Sequence, residues 1–182
     1  MGRVWRILLV LAVAVLAFAL VGLPLYVYPA HDEPRAVDAV YVLGSPTDLR
    51  MDLAEQMVAD GLTGTVVVSI SDDPVELQWM PKAQQACATP QDFTLICGTP
   101  EPFSTRGEAR WLRDLVDEHG WESVGVVTVA PHISRTRVIM ERCWDGDIAY
   151  LESGEPLWFE LWVEQYLYQT GAFVKVALER GC

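Results

Sequence analysis

The chain has 182 residues, with 25 acidic and 13 basic side chains and a formal net charge of −12 at neutral pH. This length accommodates one domain of about 150 residues and a short additional segment. The negative charge argues against a nucleic acid or an anionic membrane surface as the partner.

An uncharged, apolar run near the start of the chain is long enough to cross a membrane. Residues 7–28 contain no charged side chain, and a helix of this length, at about 1.5 Å per residue, crosses a hydrocarbon core of roughly 30 Å. Arg3 and Arg6 precede the run, so the positive-inside rule predicts a cytoplasmic N-terminus over residues 1–6 and a domain outside the plasma membrane. A cleaved signal peptide is the alternative, but its apolar core would span only about 7 to 15 residues, and Tyr28 disrupts the one plausible cleavage site.

Strands alternate with helices after a linker at residues 29–37. The predicted strands are 38–43, 65–69, 93–97, 124–128 and 148–151. The predicted helices are 47–60, 104–119, 133–144 and 156–178. The alternation predicts an α/β, Rossmann-like, three-layer fold with a parallel sheet over residues 38–182, and right-handed crossovers would place the first strand at its centre.

Two segments depart from this regular pattern. Residues 72–92 fit neither the helical nor the strand period and contain three prolines, so we expect an ordered excursion over the sheet edge that serves as a lid or rim. The last helix, 156–178, is unusually aromatic, with Trp158, Trp162 and Tyr166 among its residues. Core packing is the expected role of such an apolar helix, and a lipid-facing or partner-facing patch is the alternative.

Four cysteines form an even set in a compartment that the predicted topology makes oxidising. Three pairings are possible. We favour Cys87 with Cys97, which closes a short loop containing a proline, and Cys143 with Cys182, which ties the last residue to the core. Metal binding is the alternative, but the sequence has no CxxC or HxxxH spacing.

Three arginines stand where local electrostatics disfavours them. A cation in the first turn of a helix costs about 0.3–1 kcal/mol, yet Arg50, Arg106 and Arg135 all lie in first turns of predicted helices. In a parallel sheet these helix starts open at one edge, beside Gly44 and Thr128. Guanidinium groups and free backbone N–H groups both suit phosphate or carboxylate, so the pattern predicts an anion site for a phosphate-bearing ligand.

A plainer interpretation of the arginines is also open. In it, the acidic residues Asp48, Asp52 and Glu108, which lie in the same predicted turns, neutralise the arginines on a solvated surface. No cofactor is evident, because the sequence contains neither a Walker motif nor G-x-G-x-x-G.

Glu108 and His132 are the candidate catalytic residues. Thr105 and Glu108 have the S/T-x-x-E spacing of a capping box, in which the carboxylate reaches back to a backbone donor. The same carboxylate could orient a neighbouring histidine or arginine. His132 follows the strand 124–128 and could act as a general acid/base or donate a hydrogen bond to an anion. A structural role is the alternative for both residues.

The order of these segments resembles a known family, the YdcF/SanA/ElyC-like envelope proteins. The match lies in 38–44, Arg50, 104–109 and 127–135, and it extends over about residues 38–175. The resemblance implies a Rossmann-like fold, often behind one N-terminal membrane span. It also implies a role in cell-envelope integrity or in lipid-carrier-linked peptidoglycan synthesis.

The resemblance also implies a ligand pocket. Carried over by position, it comprises Gly44, Arg50, Thr105, Glu108, Thr128, His132 and Arg135. The implied ligand is a phosphate-bearing small molecule or a lipid-linked precursor. One hypothesis is a hydrolase or transferase in which the arginines clamp the anion, His132 is the acid/base and Glu108 orients it. The other is a non-catalytic, membrane-anchored binding or scaffold domain that uses the same pocket.

Overall fold

The computed structural model describes residues 2–182, so Met1 of the predicted cytoplasmic segment lies outside the described residues. The helices are α1 Arg3–Gly22, α2 Asp48–Ala59, α3 Pro74–Leu77, α4 Pro81–Ala88, α5 Thr105–His119, α6 Ala130–Cys143 and α7 Phe159–Leu178. The strands are β1 Ala39–Val42, β2 Thr65–Ser69, β3 Thr94–Gly98, β4 Ser123–Thr128 and β5 Asp147–Glu152.

The five strands form one parallel sheet in the order β3-β2-β1-β4-β5. This confirms the Rossmann-like prediction, with the first strand at the centre. The β1 strand is buried along its whole length because helices cover both faces of the sheet. Val40 and Val42 face the layer of α2 and α4, whereas Tyr41 and Leu43 face the layer of α5 and α6. A strand buried on both faces reads as a continuous apolar run, which is the pattern seen here.

The segment 72–92 is a helical crossover between β2 and β3, and the prediction of an excursion over the sheet edge is wrong. Its second helix, α4, packs on α2 and β3. Met80 and Ala83 are fully buried in the core on that side of the sheet. At eight residues, α4 is too short to show a clear helical period, and the prolines around it obscured the pattern.

Both predicted disulfides are present. Cys87 in α4 is bonded to Cys97 in β3, and Cys143 at the end of α6 is bonded to Cys182. Within residues 2–182 no cysteine is free. The second bridge holds the end of the chain against α5, where Arg110 donates a hydrogen bond to the carbonyl oxygen of Cys182 at 2.8 Å.

The helix α7 is not a core helix, and the core-packing prediction for its aromatic residues is wrong. Only Gln169 and Val176 of α7 are buried, whereas Trp158 and Phe159 are 73% and 77% exposed. The reason is that α2 with α4 and α5 with α6 already cover the two faces of the sheet. The α7 helix therefore packs outside this sandwich, against α6 and the end of the N-terminal apolar helix.

The N-terminal helical segment includes the predicted span. A π-helical turn, Leu23–Val27, continues α1, and together they form a helical segment of 25 residues that contains an 18-residue window with a mean hydropathy of 2.9. Within the described part of the chain this is the one helix long and apolar enough to cross a membrane.

Candidate functional site

A cavity of about 950 Å³ lies at the carboxyl end of the sheet, between the starts of α2, α5 and α6 and one side of α7. Six of the seven predicted pocket residues line it, namely Gly44, Arg50, Thr105, Glu108, His132 and Arg135. The seventh, Thr128, lies behind His132 and is fully buried. Arg106 also lines the cavity, so the three arginines face one space. The helix α6 begins at Ala130, so Arg135 belongs to its second turn and not to the first turn that the sequence predicted.

Arg50 is held by an ion pair that the sequence did not predict. Its Nε donates to Glu155 Oε1 at 2.6 Å, and its Nη1 donates to the carbonyl oxygens of Leu43 and Ser45 at 3.3 and 3.1 Å. Glu155 also accepts a hydrogen bond from the Thr47 hydroxyl at 2.9 Å. These contacts compensate the charge of Arg50 and fix the loop that follows β1.

Arg106 is also paired. Its Nη1 lies 2.9 Å from a carboxylate oxygen of Glu179, and its Nη2 donates to the Glu179 carbonyl oxygen at 2.7 Å. The neighbours Asp48 and Asp52 make neither of the arginine ion pairs, and Glu108 is used elsewhere in the site. The acids that compensate Arg50 and Arg106 come instead from chain segments that only the fold brings close.

Arg135 is buried without a carboxylate partner among residues 2–182. It is 8% exposed, and its Nε and Nη1 donate to Gln169 Oε1 at 2.8 Å and to Thr105 Oγ1 at 3.2 Å. The guanidinium also lies 5.7 Å from the centre of the Tyr168 ring. Burial lowers the pKa of Arg135, but an arginine remains cationic at neutral pH. The nearby Tyr168 and Glu108 oppose this lowering of the pKa, but neither forms an ion pair with the guanidinium. A buried charge without an ion pair of its own is costly, so a cavity lined by Arg135 is suited to an anion.

His132 lies between two threonine hydroxyl groups. Its Nε2 is 3.1 Å from Thr105 Oγ1, and its Nδ1 is 3.0 Å from Thr128 Oγ1. Burial, reinforced by the charges of Arg135 and Arg50, holds the pKa of His132 well below its usual value, so the ring is neutral. A neutral imidazole donates through one nitrogen and accepts through the other. Both nitrogens are thus engaged by threonine hydroxyl groups, and one of these, on Thr105, also lines the cavity.

Glu108 does not cap its own helix, so the capping-box prediction is wrong. Ser104 is the N-cap, and its hydroxyl oxygen accepts from the Gly107 N–H at 3.3 Å. A Cβ at Gly107 would lie 2.0 Å from the Pro102 carbonyl oxygen, so the capping-box position cannot hold a glutamate. Glu108 Oε1 instead accepts from the Gly44 N–H at 2.7 Å. Burial raises the pKa of Glu108, and the Gly44 hydrogen bond opposes this rise.

The sequence analysis proposed that Glu108 orients His132, and the structure gives this role to other residues. Glu108 makes no hydrogen bond to His132 within the described residues, and the two threonines orient the ring instead. Glu155 and Gln169 were missed by sequence reasoning. Glu155 is an acidic residue shortly after a predicted strand, and Gln169 is a polar residue on an apolar helix. Both patterns are signals that could have indicated them.

The donor set of the cavity does not resemble a metal site. Residues 2–182 contain no group of three or more His, Cys, Asp or Glu side chains that could hold a metal ion. Comparison with family models, with curated proteins and with solved structures finds no match to this chain. A function for the site must therefore be inferred from its geometry.

Proposed function

We propose that this chain is a single-pass plasma-membrane protein whose outer domain binds a phosphate-bearing ligand in the cavity at the carboxyl end of the sheet. The observation that carries the proposal is Arg135, a buried guanidinium without a carboxylate partner in the described chain. A phosphate oxygen would supply the missing negative charge and accept charge-assisted hydrogen bonds from this group. Lys175 also lines the cavity and would add a second positive charge.

Two features support a location of the α/β domain on the outer side of the membrane. Both disulfides are formed, and such bonds persist in oxidising compartments. Arg3 and Arg6 precede the apolar run, and all 25 acidic residues follow it, which favours a cytoplasmic N-terminus. With this topology the cavity would lie outside the cytoplasm.

The resemblance to the YdcF/SanA/ElyC-like proteins supports a role in cell-envelope integrity or in peptidoglycan metabolism. In that setting the ligand would be a phosphate-bearing precursor, either a small molecule or a lipid-linked one. The cavity volume of about 950 Å³ is large enough for a phosphate group together with part of a second moiety.

A second candidate function is catalysis, and the contacts of Thr105 favour it. Thr105 Oγ1 lines the cavity and lies 3.1 Å from His132 Nε2, while Thr128 holds the other ring nitrogen. A hydroxyl next to a base that is oriented by a third group is the arrangement used to activate a nucleophile or to relay a proton. In a hydrolase or transferase, a proton from a ligand hydroxyl or water would pass to Thr105 as the Thr105 proton passes to His132.

Titration calorimetry on the full-length protein in detergent tests the binding proposal. Inorganic pyrophosphate and a short-chain prenyl phosphate are the probes. Arg135→Ala should abolish binding, whereas Arg137→Ala, two residues along the same helix and stacked on Tyr150, should leave it unchanged. Wild-type protein that binds neither probe would refute the proposal.

The second candidate is separated from the first by His132→Ala. A binding or scaffold protein should retain ligand affinity and should still complement a deletion strain with this substitution. An enzyme should lose phosphate release or transfer at least 100-fold, which is about the contribution of one general base. No turnover by wild-type protein on prenyl phosphates, nucleotides and sugar phosphates, with or without divalent metal, would leave simple binding as the function.

A further inference from the structure

One exposed side of α7 carries a row of apolar side chains from the first turn of the helix to the last. Phe159, Val163, Leu167, Val174 and Leu178 recur at helical spacing on one side, and they are between 47% and 80% exposed. We call this row the α7 stripe. A continuous apolar stripe that the rest of the protein does not cover is typical of a helix that lies on another apolar surface.

The same helix touches the membrane segment. The Tyr166 hydroxyl donates to the Ala19 carbonyl oxygen at 3.1 Å, and the Tyr166 ring packs edge-on against Phe18 and Tyr26, with centroids 5.8 and 5.1 Å apart. Ala19 precedes the end of the apolar segment at Val27 by about 12 Å of helix, at 1.5 Å per residue. The contact is therefore made within the length of the span and not beyond its end.

The opposite side of α7 forms a wall of the ligand cavity. Gln169 donates and accepts hydrogen bonds at this wall and holds Arg135 at 2.8 Å, and Tyr168, Ala172 and Lys175 line the same space. One helix thus contacts α1 on one side and lines the cavity on the other. The α7 stripe lies between these two sides, and its member Leu167 also lines the cavity. The cavity must lie next to the surface of any bilayer that α1 crosses.

We infer that the α7 stripe lies in the outer leaflet of the bilayer that α1 spans, and that the cavity takes a phosphate group carried on a membrane-embedded lipid chain. The inference rests on the proposed function for the phosphate part and on the contact between α7 and α1 for the lipid part. The bilayer is the occupant that this contact favours, because the stripe continues the apolar surface of α1. The exposed charged residues at the start of α7 are acidic, namely Glu160 and Glu164, and they would not attract anionic lipids. Burial of apolar area, and not attraction to lipid charge, therefore holds the helix on the bilayer.

Photolabelling locates the stripe. Full-length protein in nanodiscs of neutral phosphatidylcholine is irradiated with a diazirine-bearing phosphatidylcholine, and labelled positions are found by mass spectrometry. The α7 stripe should be labelled about as strongly as α1. Val75 and Trp79, which are equally exposed but far along the chain in the α3 region, are the internal control. Stripe labelling no stronger than that of Val75 and Trp79, or cross-linking of α7 to a second protein copy in place of lipid, would overturn the inference.

A stripe variant then tests the ligand. Phe159→Glu with Val163→Glu changes exposed side chains that do not line the cavity, and Val75→Glu is the matched control. The stripe variant should weaken binding of a long-chain polyprenyl phosphate in nanodiscs by about tenfold or more and leave binding of inorganic pyrophosphate unchanged. Equal binding of the lipid by stripe variant and wild type would overturn the inference while the proposed function stands. If wild-type protein binds no phosphate probe, the proposed function fails, and the photolabelling still decides where α7 lies.

Discussion

Replacing Arg135 by methionine should remove ligand binding without unfolding the protein. Methionine keeps much of the volume of the arginine stem and removes the charge. Loss of one partner from a buried, hydrogen-bonded charge contact costs about 2–5 kcal/mol, so the dissociation constant for a phosphate probe should rise about 30- to 4,000-fold. Calorimetric titration with inorganic pyrophosphate measures this change.

The free energy of unfolding of the unliganded Arg135→Met variant should change little, because the substitution has two effects of opposite sign. Removing the guanidinium relieves a desolvation penalty of several kcal/mol. It also leaves Gln169 Oε1 without its donor at 2.8 Å, and an unsatisfied buried acceptor costs about 1–3 kcal/mol. We therefore expect the free energy of unfolding in urea to fall by no more than about 1 kcal/mol.

Arg137→Met is the matched control, because Arg137 belongs to the same helix but does not line the cavity. It should leave the dissociation constant within about twofold of the wild-type value, since a twofold change is only about 0.4 kcal/mol. The reasoning is refuted if Arg135→Met lowers the free energy of unfolding by more than about 3 kcal/mol while pyrophosphate affinity stays unchanged. In that case Arg135 serves the core and not a ligand.

Three further predictions concern the pH dependence and the framework of the site. The pKa of His132 is depressed below 6.5, so the stabilising contribution of its neutral form is present above that pH and is lost as the pH falls. Relative to His132→Gln, the free energy of unfolding of the wild-type protein should drop by up to about 1.4 kcal/mol per pH unit below 6.5, and parallel pH profiles for the two proteins would contradict this. Replacing Cys143 and Cys182 by serine opens a loop with a sequence separation of 39 and should cost about 4 kcal/mol, seen as a lower urea midpoint; an unchanged midpoint under non-reducing conditions contradicts this. Gly107→Ala places a Cβ against the Pro102 carbonyl oxygen and should lower stability by about 1–3 kcal/mol in the same assay, whereas a neutral result would show that the start of α5 can shift.

Local sequence patterns predict those parts of this protein whose structure depends on residues close together in the chain. The strands β1, β2 and β4 are short runs of β-branched and apolar residues. The α/β class of the domain and the parallel arrangement of these strands could therefore be predicted from the chain alone. The disulfide between Cys87 and Cys97 was also predictable, because its ends have a sequence separation of only 10 and a short loop brings them together at little entropic cost.

The chemistry of the cavity depends on contacts between distant residues, which no local pattern contains. Arg50 and Glu155 are 105 residues apart, and Arg135 and Gln169 are 34 apart. The ion pair at Arg50 and the neutral partner at Arg135 could therefore not be predicted. The same holds for α7. Its apolar sequence is compatible with a core helix, and only the tertiary structure shows that both sheet faces are already covered.

Periodicity along the chain and the geometry of parallel strands are enough to predict the N-terminal apolar helix, the α/β fold and the set of side chains that gather at one edge of the sheet. Only the three-dimensional contacts show which of those arginines has no ion pair and which helix lies exposed beside the N-terminal apolar helix. The physical reason is that ion pairing and burial depend on which surfaces meet in space, and those surfaces come from segments far apart along the chain.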